Sequence, residues 1–187
     1  MSIFNQTCPV WFEEGAVRMI GEKALEYHVK KAFCICDKGI SACGIASVIV
    51  NNLEDAGLEI YLYDKVLPDA PDTMINEIGK IARNYEADLV IGIGGGSSLD
   101  AAKAVTILLD NPGEIRDYYM SAGAKFKEQI PLFCIPTAAG TGSEVTSICV
   151  VHDMSSDVKE TVIKGATLAI VDPDLMIGLP RYITAIT

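Results

Sequence analysis

The chain has 187 residues, 50% hydrophobic and 21% charged, with 15 Lys and Arg against 25 Asp and Glu for a net charge of −10. That composition supplies a sizeable core and excludes a disordered chain. The acidic balance argues against nucleic acid or an anionic membrane as a partner, because both attract basic surface.

Glu14 to His28 places Val17, Ile20, Ala24 and Leu25 at helical spacing. Lys31 to Asp37 is a compact apolar run that ends in a carboxylate and predicts a buried strand. Ser41 to Ala56 predicts a helix with Ile45, Val48, Ile49 and Leu53 on one face, and Leu58 to Tyr63 a strand. After a loop marked by Pro68 and Pro71, Asp72 to Tyr85 predicts a helix with Asp72 as N-cap.

Asp88 to Ile93 predicts the next strand, followed by Gly94, Gly95 and Gly96 and an Ala-rich helix from Ser98 to about Leu109. Leu132 to Ile135 predicts a strand closed by Pro136. Ser147 to His152 and Thr161 to Ile163 predict a small antiparallel hairpin, and Leu168 to Val171 a last strand before Asp172-Pro173. Repeated strand–helix–strand units with uninterrupted apolar strands predict an α/β fold, a mostly parallel sheet with helices on both faces.

No apolar run approaches the ~18 residues that span a bilayer. The opening MSIFNQTCPVWFEEG has neither the basic start nor the apolar stretch of a secretory signal. Of the six cysteines, Cys34, Cys36, Cys134 and Cys149 sit inside predicted strands, and no pair forms C-x-x-C. Buried free thiols, and hence a reducing, cytoplasmic compartment, are the expectation. His28 and His152 are the only histidines and lie far apart, which gives no zinc-like spacing.

The sharpest feature is the run Gly94 to Lys103 (GGGSSLDAAK), placed between a predicted strand and a predicted helix. Residues without Cβ let backbone approach a ligand closely, and amides at a helix start accept a phosphate oxygen. Ser97 and Ser98 are cap residues and further donors. Neither G-x-G-x-x-G nor G-x-x-x-x-G-K-[ST] is matched, and an ordinary serine-capped turn would use the same residues. A second small, hydroxyl-rich turn, Pro136 to Thr146, follows the next strand. Two such turns at the carboxyl ends of parallel strands face one crevice, which favours a dinucleotide or another phosphorylated ligand.

With GGGSSLDAAKAV (Gly94 to Val105), IPTAAGTGSEVT (Ile135 to Thr146) and AIVDPDLMIGLPRYITAIT (Ala169 to Thr187), the sequence resembles the iron-containing, or group III, alcohol dehydrogenases. LPDAPD before the third helix and the early CPVWFEEGA look like the same family. The resemblance runs nearly end to end and implies one Rossmann-like, doubly wound dinucleotide-binding domain over 1–187, with the helical C-terminal metal domain of the family absent.

It further implies Gly95, Gly96 and Ser97 under the cofactor pyrophosphate and Asp100 towards the nicotinamide. Thr137, Thr141 and Thr146 would line the adenine and ribose side or the nicotinamide approach. Asp37 would accept from the adenosine ribose and repel a 2′-phosphate, so NAD is the implied cofactor. Asp69 and Leu179 are further implied contacts. A family lysine near the cofactor corresponds to Lys159 or to Lys164, because the stretch before V-D-P looks short.

Family members hold a divalent metal, iron or zinc, with an Asp and three His. The first of these belongs to a T-G-x-D pattern that would begin at Thr187, and no residue of this chain matches a ligand. The implied function is hydride transfer between a small alcohol or aldehyde and NAD(H), in a homo-oligomer. The expectation for these 187 residues alone is a truncated, inactive oxidoreductase domain. The alternative is a non-catalytic nucleotide-binding or interaction module.

Overall fold

A computed structural model describes residues 6–179 and 181–186. Pro180 and Thr187 of the third motif lie outside the described residues, so the T-G-x-D expectation has no structural counterpart here. The strands are β1 (Val10–Phe12), β2 (Lys31–Ile35), β3 (Glu59–Tyr63), β4 (Leu89–Gly94), β5 (Leu132–Pro136), β6 (Ile148–Asp153), β7 (Val158–Ile163) and β8 (Leu168–Val171). Six of them form one sheet in the order β1-β8-β5-β4-β2-β3, with every pairing parallel. β6 and β7 form a separate antiparallel hairpin.

The helices are α1 (Ile20–Leu25), α2 (Lys38–Ala42), α3 (Ile45–Asp55), α4 (Asp72–Tyr85), α5 (Gly96–Asp110), α6 (Asp174–Ile177) and α7 (Arg181–Ile186). Side chains alternate across each strand, and both sides are apolar, so each face of the sheet needs a cover. Phe33, Ile35, Val90, Leu132 and Cys134 pack in one core with Ile75 and Ile78 of α4 and Leu99 and Val105 of α5. Cys34, Leu89, Ile91, Phe133 and Ile135 pack in a second core with Ile20 of α1 and Ile49 and Leu53 of α3. The predicted doubly wound architecture is therefore the observed one, with α1 and α3 on one face and α4 and α5 on the other.

From β2 the chain winds outward to β3, whereas from β4 it winds the other way to β5 and β8. The direction of winding reverses between the adjacent strands β2 and β4. At such a switch point the following segments leave towards opposite faces and open a crevice at the carboxyl ends of the strands.

The observed elements differ from the sequence reading at several places. β1 has no signal in the sequence, because three residues are too few to show alternation. The first helix starts as a 3₁₀ turn over Ala16–Met19 before α1. The second splits into α2 and α3 at Gly44, whose φ of 86° ends one helix and starts the next. Pro71, not Asp72, is the N-cap of α4. Gly95 is the N-cap of α5, without a serine side-chain cap. Cys8, Cys34, Cys36, Cys134 and Cys149 are buried free thiols, and Cys43 is exposed. Among the described residues no helix is long and apolar enough to cross a membrane.

Candidate functional site

The crevice is built on the turn from β4 into α5. Gly94 has φ 140°, and a Cβ on it would lie 2.9 Å from Ser98 Oγ and 3.0 Å from Ser98 Cβ. Both conformation and space demand glycine there. Two residues back on β4, a Cβ on Gly92 would lie 2.7 Å from Ala102 Cβ, so α5 rests directly on the strand backbone. The first amides of a helix have no intrahelical acceptor. Here Ser98 and Leu99 N–H turn back to Gly95 O, each at 3.1 Å. Among the described residues nothing accepts from the N–H groups of Gly95, Gly96 and Ser97. Three adjacent free amides at the positive end of a 15-residue helix form an anion cradle.

Three contiguous cavities radiate from this turn. One of about 450 Å³ runs past Asp37, Gly39, Lys65 and Pro68 and shares Gly95, Gly96 and Ser97. A second, of about 430 Å³, shares Gly96 and Ser97 and is walled by Asp69, Asp100, Thr141, Thr146 and Lys159. A third, of about 770 Å³, shares Asp37 and Gly95 and extends past Thr137, Ala138, Leu175 and Leu179. The eleven sequence-nominated residues thus all line one branched cleft, and the cradle sits at its branch point. Lys159 borders the cleft, whereas Lys164 is buried against Glu128 at 2.8 Å.

Asp37 caps α2, with Oδ1 accepting from Gly39 N–H at 2.7 Å and Ile40 N–H at 3.1 Å. Its Oδ2 faces Gly94, 3.6 Å from where a Cβ would stand. Ser97 Oγ accepts from Asp69 N–H at 3.1 Å, which leaves the hydroxyl proton free to donate elsewhere. Asp69 carries φ 62° and Ala70 φ 47°. The Asp69 carboxylate meets Lys159 Nζ at 2.6 Å, and this partner holds its pKa below the ordinary carboxylate value.

The second turn is tied to α5 by a buried network that the sequence reading missed. Lys103 is fully buried. Its ammonium lies 2.6 Å from Ser143 O, 3.1 Å from Thr146 O and 2.8 Å from Ile148 O, with both hydroxyls of Ser143 and Thr146 also in reach. One helical turn earlier, Asp100 accepts from Ser143 Oγ at 2.7 Å and from Val150 N–H at 3.2 Å. Burial raises the Asp100 carboxyl, opposed by the Ser143 hydroxyl, the Val150 amide and the Lys103 charge. The available signal was a lone lysine in an otherwise Ala-rich, apolar helix, because a charge buried there must find partners.

Asp172 was also unassigned in the sequence. It is fully buried and accepts from Gly15, Val17 and Asp174 N–H at 3.0, 3.2 and 3.1 Å, fastening the end of β8 to the N-terminal 3₁₀ turn. Among the described residues no group of three or more His, Cys, Asp or Glu is arranged to hold a metal ion. The cleft offers peptide N–H groups, hydroxyls and carboxylates, which fit a phosphorylated, ribose-bearing molecule.

The parallel order, the two covered faces and the glycine turn at the switch point define a doubly wound, Rossmann-like α/β domain. The chain belongs to the iron-containing alcohol dehydrogenase family, whose family model matches residues 9–173. It is 36% identical over 178 residues to choline dehydrogenase of Bacillus subtilis, covering 92% of this chain and 44% of that protein. It is likewise 36% identical over 176 residues to the NAD-dependent methanol dehydrogenase of Bacillus methanolicus, covering 92% and 46%. A crystal structure of sulfoacetaldehyde reductase from Bifidobacterium kashiwanohense in complex with NAD+ superposes with TM-score 0.90 at 25% identity, over 99% of this chain and 50% of that one. The chain therefore spans about half the length of the curated relatives it matches.

Proposed function

We propose that residues 1–187 form the dinucleotide-binding domain of an NAD-dependent alcohol dehydrogenase that moves a hydride between a small alcohol or aldehyde and NAD(H). The observation that carries this reading is the set of three unpartnered amides, Gly95 to Ser97, at the branch point of the cleft. They receive the diphosphate, with the Ser97 hydroxyl as a further donor. The cavity past Thr137 and Leu179 takes the adenosine side, where Asp37 Oδ2 accepts from the ribose. A 2′-phosphate would meet that carboxylate, so NAD is favoured over NADP.

The cavity between Asp100, Thr141 and Thr146 takes the nicotinamide side, and its walls are fixed by the buried Asp100–Ser143–Lys103 network. When bound, the nicotinamide supplies the hydride-accepting carbon. What this chain contributes is position and the exclusion of water from one side of the ring. The described residues offer no metal-ligand cluster, so we assign no metal to them, and we infer negligible alcohol turnover by these residues alone. Five buried free thiols support a reducing, cytoplasmic setting. Phe12, 69% exposed on edge strand β1, supports self-association.

Calorimetry of the purified chain with NAD, NADP and ADP-ribose tests the reading. Binding of NAD and ADP-ribose, with NADP weaker, is the expected result. No heat from either at millimolar ligand refutes the cradle and leaves a module that does not bind nucleotide.

A further inference from the structure

The cradle lies where three cavities meet, and a linear dinucleotide fills two of them. The adenosine arm runs past Thr137 and Leu179, and the nicotinamide arm past Asp100 and Thr146. The third arm, of about 450 Å³, lies between the start of α2 and the loop after β3. It shares Asp37, Gly39 and Gly95 with the adenosine arm, so it opens beside the place taken by the adenosine ribose.

The arms differ in charge. Among the described residues the adenosine arm is lined by two carboxylates, Asp37 and Asp174, and by no cation. The nicotinamide arm sets Asp69 and Asp100 against Lys159. The third arm sets Asp37 alone against two ammonium groups, Lys38 and Lys65, and is the one arm with positive charge in excess on a chain of net charge −10. Asp64, beside Lys65 in sequence, lines none of the three. Lysine ion pairs among the described residues involve Lys23, Lys31, Lys159 and Lys164, which leaves Lys38 and Lys65 exposed and unpaired.

The backbone fixes where both lysines start. Lys38 is the first residue of α2, directly after Asp37, whose Oδ1 accepts from the Gly39 and Ile40 N–H groups. Beyond the last ladder pair, Ile35 and Tyr63, Cys36 N–H donates to Tyr63 O at 2.9 Å and Val66 N–H to Cys36 O at 3.2 Å. Lys65 therefore leaves the sheet beside Asp37. A carboxylate alone suffices to disfavour a 2′-phosphate; two free ammonium groups beyond it are what a phosphate would need, since each donates charge-assisted hydrogen bonds to phosphate oxygens.

We propose that the third arm is a phosphate-monoester subsite, in which Lys38 and Lys65 receive the 2′-phosphate of NADP, and that Asp37 at its mouth is the one group that makes NADP the weaker ligand. This rests on the dinucleotide reading above. NADP branches at the adenosine ribose, and the cleft branches beside the same sugar.

The test is calorimetric titration of NAD and NADP into wild type, Asp37→Asn, and Asp37→Asn combined with Lys38→Met and Lys65→Met. Asparagine removes the charge and keeps an acceptor for the α2 amides. Asp37→Asn combined with Lys30→Met, an exposed lysine at the opposite end of β2, controls for overall charge. Asp37→Asn is expected to bind NADP at least as tightly as NAD. Adding the Lys38 and Lys65 changes should weaken NADP roughly tenfold or more and NAD roughly threefold or less, and adding Lys30→Met should alter neither. The proposal is overturned if Asp37→Asn still binds NADP more weakly than NAD, or if the Lys38 and Lys65 changes leave NADP unaffected or weaken both ligands equally. An equal loss of NADP from Lys30→Met overturns it as well, because the effect is then one of net charge. A wild type that binds neither NAD nor ADP-ribose overturns the dinucleotide reading instead, and the proposal with it.

Discussion

Replacing Lys103 by Met is the most direct way to ask whether α5 holds the second turn of the cleft in place. Methionine keeps the length of the apolar stem and removes the ammonium. Three N–H donors are lost from three carbonyls, those of Ser143, Thr146 and Ile148. The Thr146 hydroxyl lies 3.2 Å from both Ser143 O and Ile148 O, and its one proton serves one of them, so two carbonyls lose their donor. Unpaired buried acceptors cost about 1–3 kcal/mol each, and Asp100 loses the nearby positive charge. Relief of the desolvated ammonium offsets part of this. The net expectation is a loss of about 3 kcal/mol, which for a chain of this size lowers the melting midpoint by roughly 6–12 °C. Urea unfolding reads the first quantity and calorimetry the second. Amide exchange over 141–150 should accelerate well beyond that of the sheet strands, because the lesion is local. A loss under about 1 kcal/mol with unchanged exchange in that segment would refute the reasoning.

Gly94→Ala places a Cβ 3.0 Å from Ser98 Cβ at φ 140°, so it should cost about 2 kcal/mol or more in urea unfolding and abolish detectable NAD binding. Asp37→Ala removes the cap of α2, worth about 1 kcal/mol, and should narrow the preference for NAD over NADP when both are titrated. Asp172→Ala leaves three amides without an acceptor in a fully buried position, with an expected loss of about 3 kcal/mol in the same unfolding assay and NAD affinity unchanged within error. The raised Asp100 pKa means that the folded chain holds this proton more tightly than the unfolded one. Its contribution to stability is full below the ordinary carboxylate pKa and is lost as pH rises through the raised value. Wild type should therefore lose stability relative to Asp100→Asn as pH rises above the ordinary carboxylate range, and a difference that stays constant with pH would exclude the burial effect.

Much of this was legible in the sequence because it rests on local signals. Uninterrupted apolar runs such as LVIGI and LFCI can be covered only from both sides, which is the argument for a parallel sheet, and the sheet is parallel throughout. The glycine turn was legible because its placement between strand and helix fixes which amides come free. Other features depend on partners distant in sequence and leave no local trace. Lys103 finds its acceptors 40 to 45 residues later, Asp172 two of its three donors more than 150 residues earlier, and β1 is a strand only because β8 lies beside it. Serine capping of α5 was expected from propensity, but the Ser97 hydroxyl is taken by Asp69 N–H and Gly95 occupies the cap. Local preference yields there to a tertiary hydrogen bond.

One helix therefore carries most of the geometry. The first turn of α5 offers the free amides, Ala102 seats it on Gly92, and Asp100 and Lys103 hold the Ser143–Ile148 segment from the same helix. The two turns that flank the cleft cannot move independently, because both are referenced to one rigid body pressed against β4. The loop at Asp69 reaches the same helix through Ser97 and the hairpin through Lys159. A substitution that shifts α5 along the strand must displace the anion cradle, the Thr141–Thr146 wall and the carboxylate opposite it together. Such a change should appear as loss of affinity for the whole dinucleotide, with no selective loss of one end. Substitutions at Thr137 or Leu179, which lie on α5's far side of the branch point and outside this network, should weaken the adenosine end alone. Comparing the binding of ADP-ribose with that of nicotinamide mononucleotide in the two groups of variants separates these outcomes.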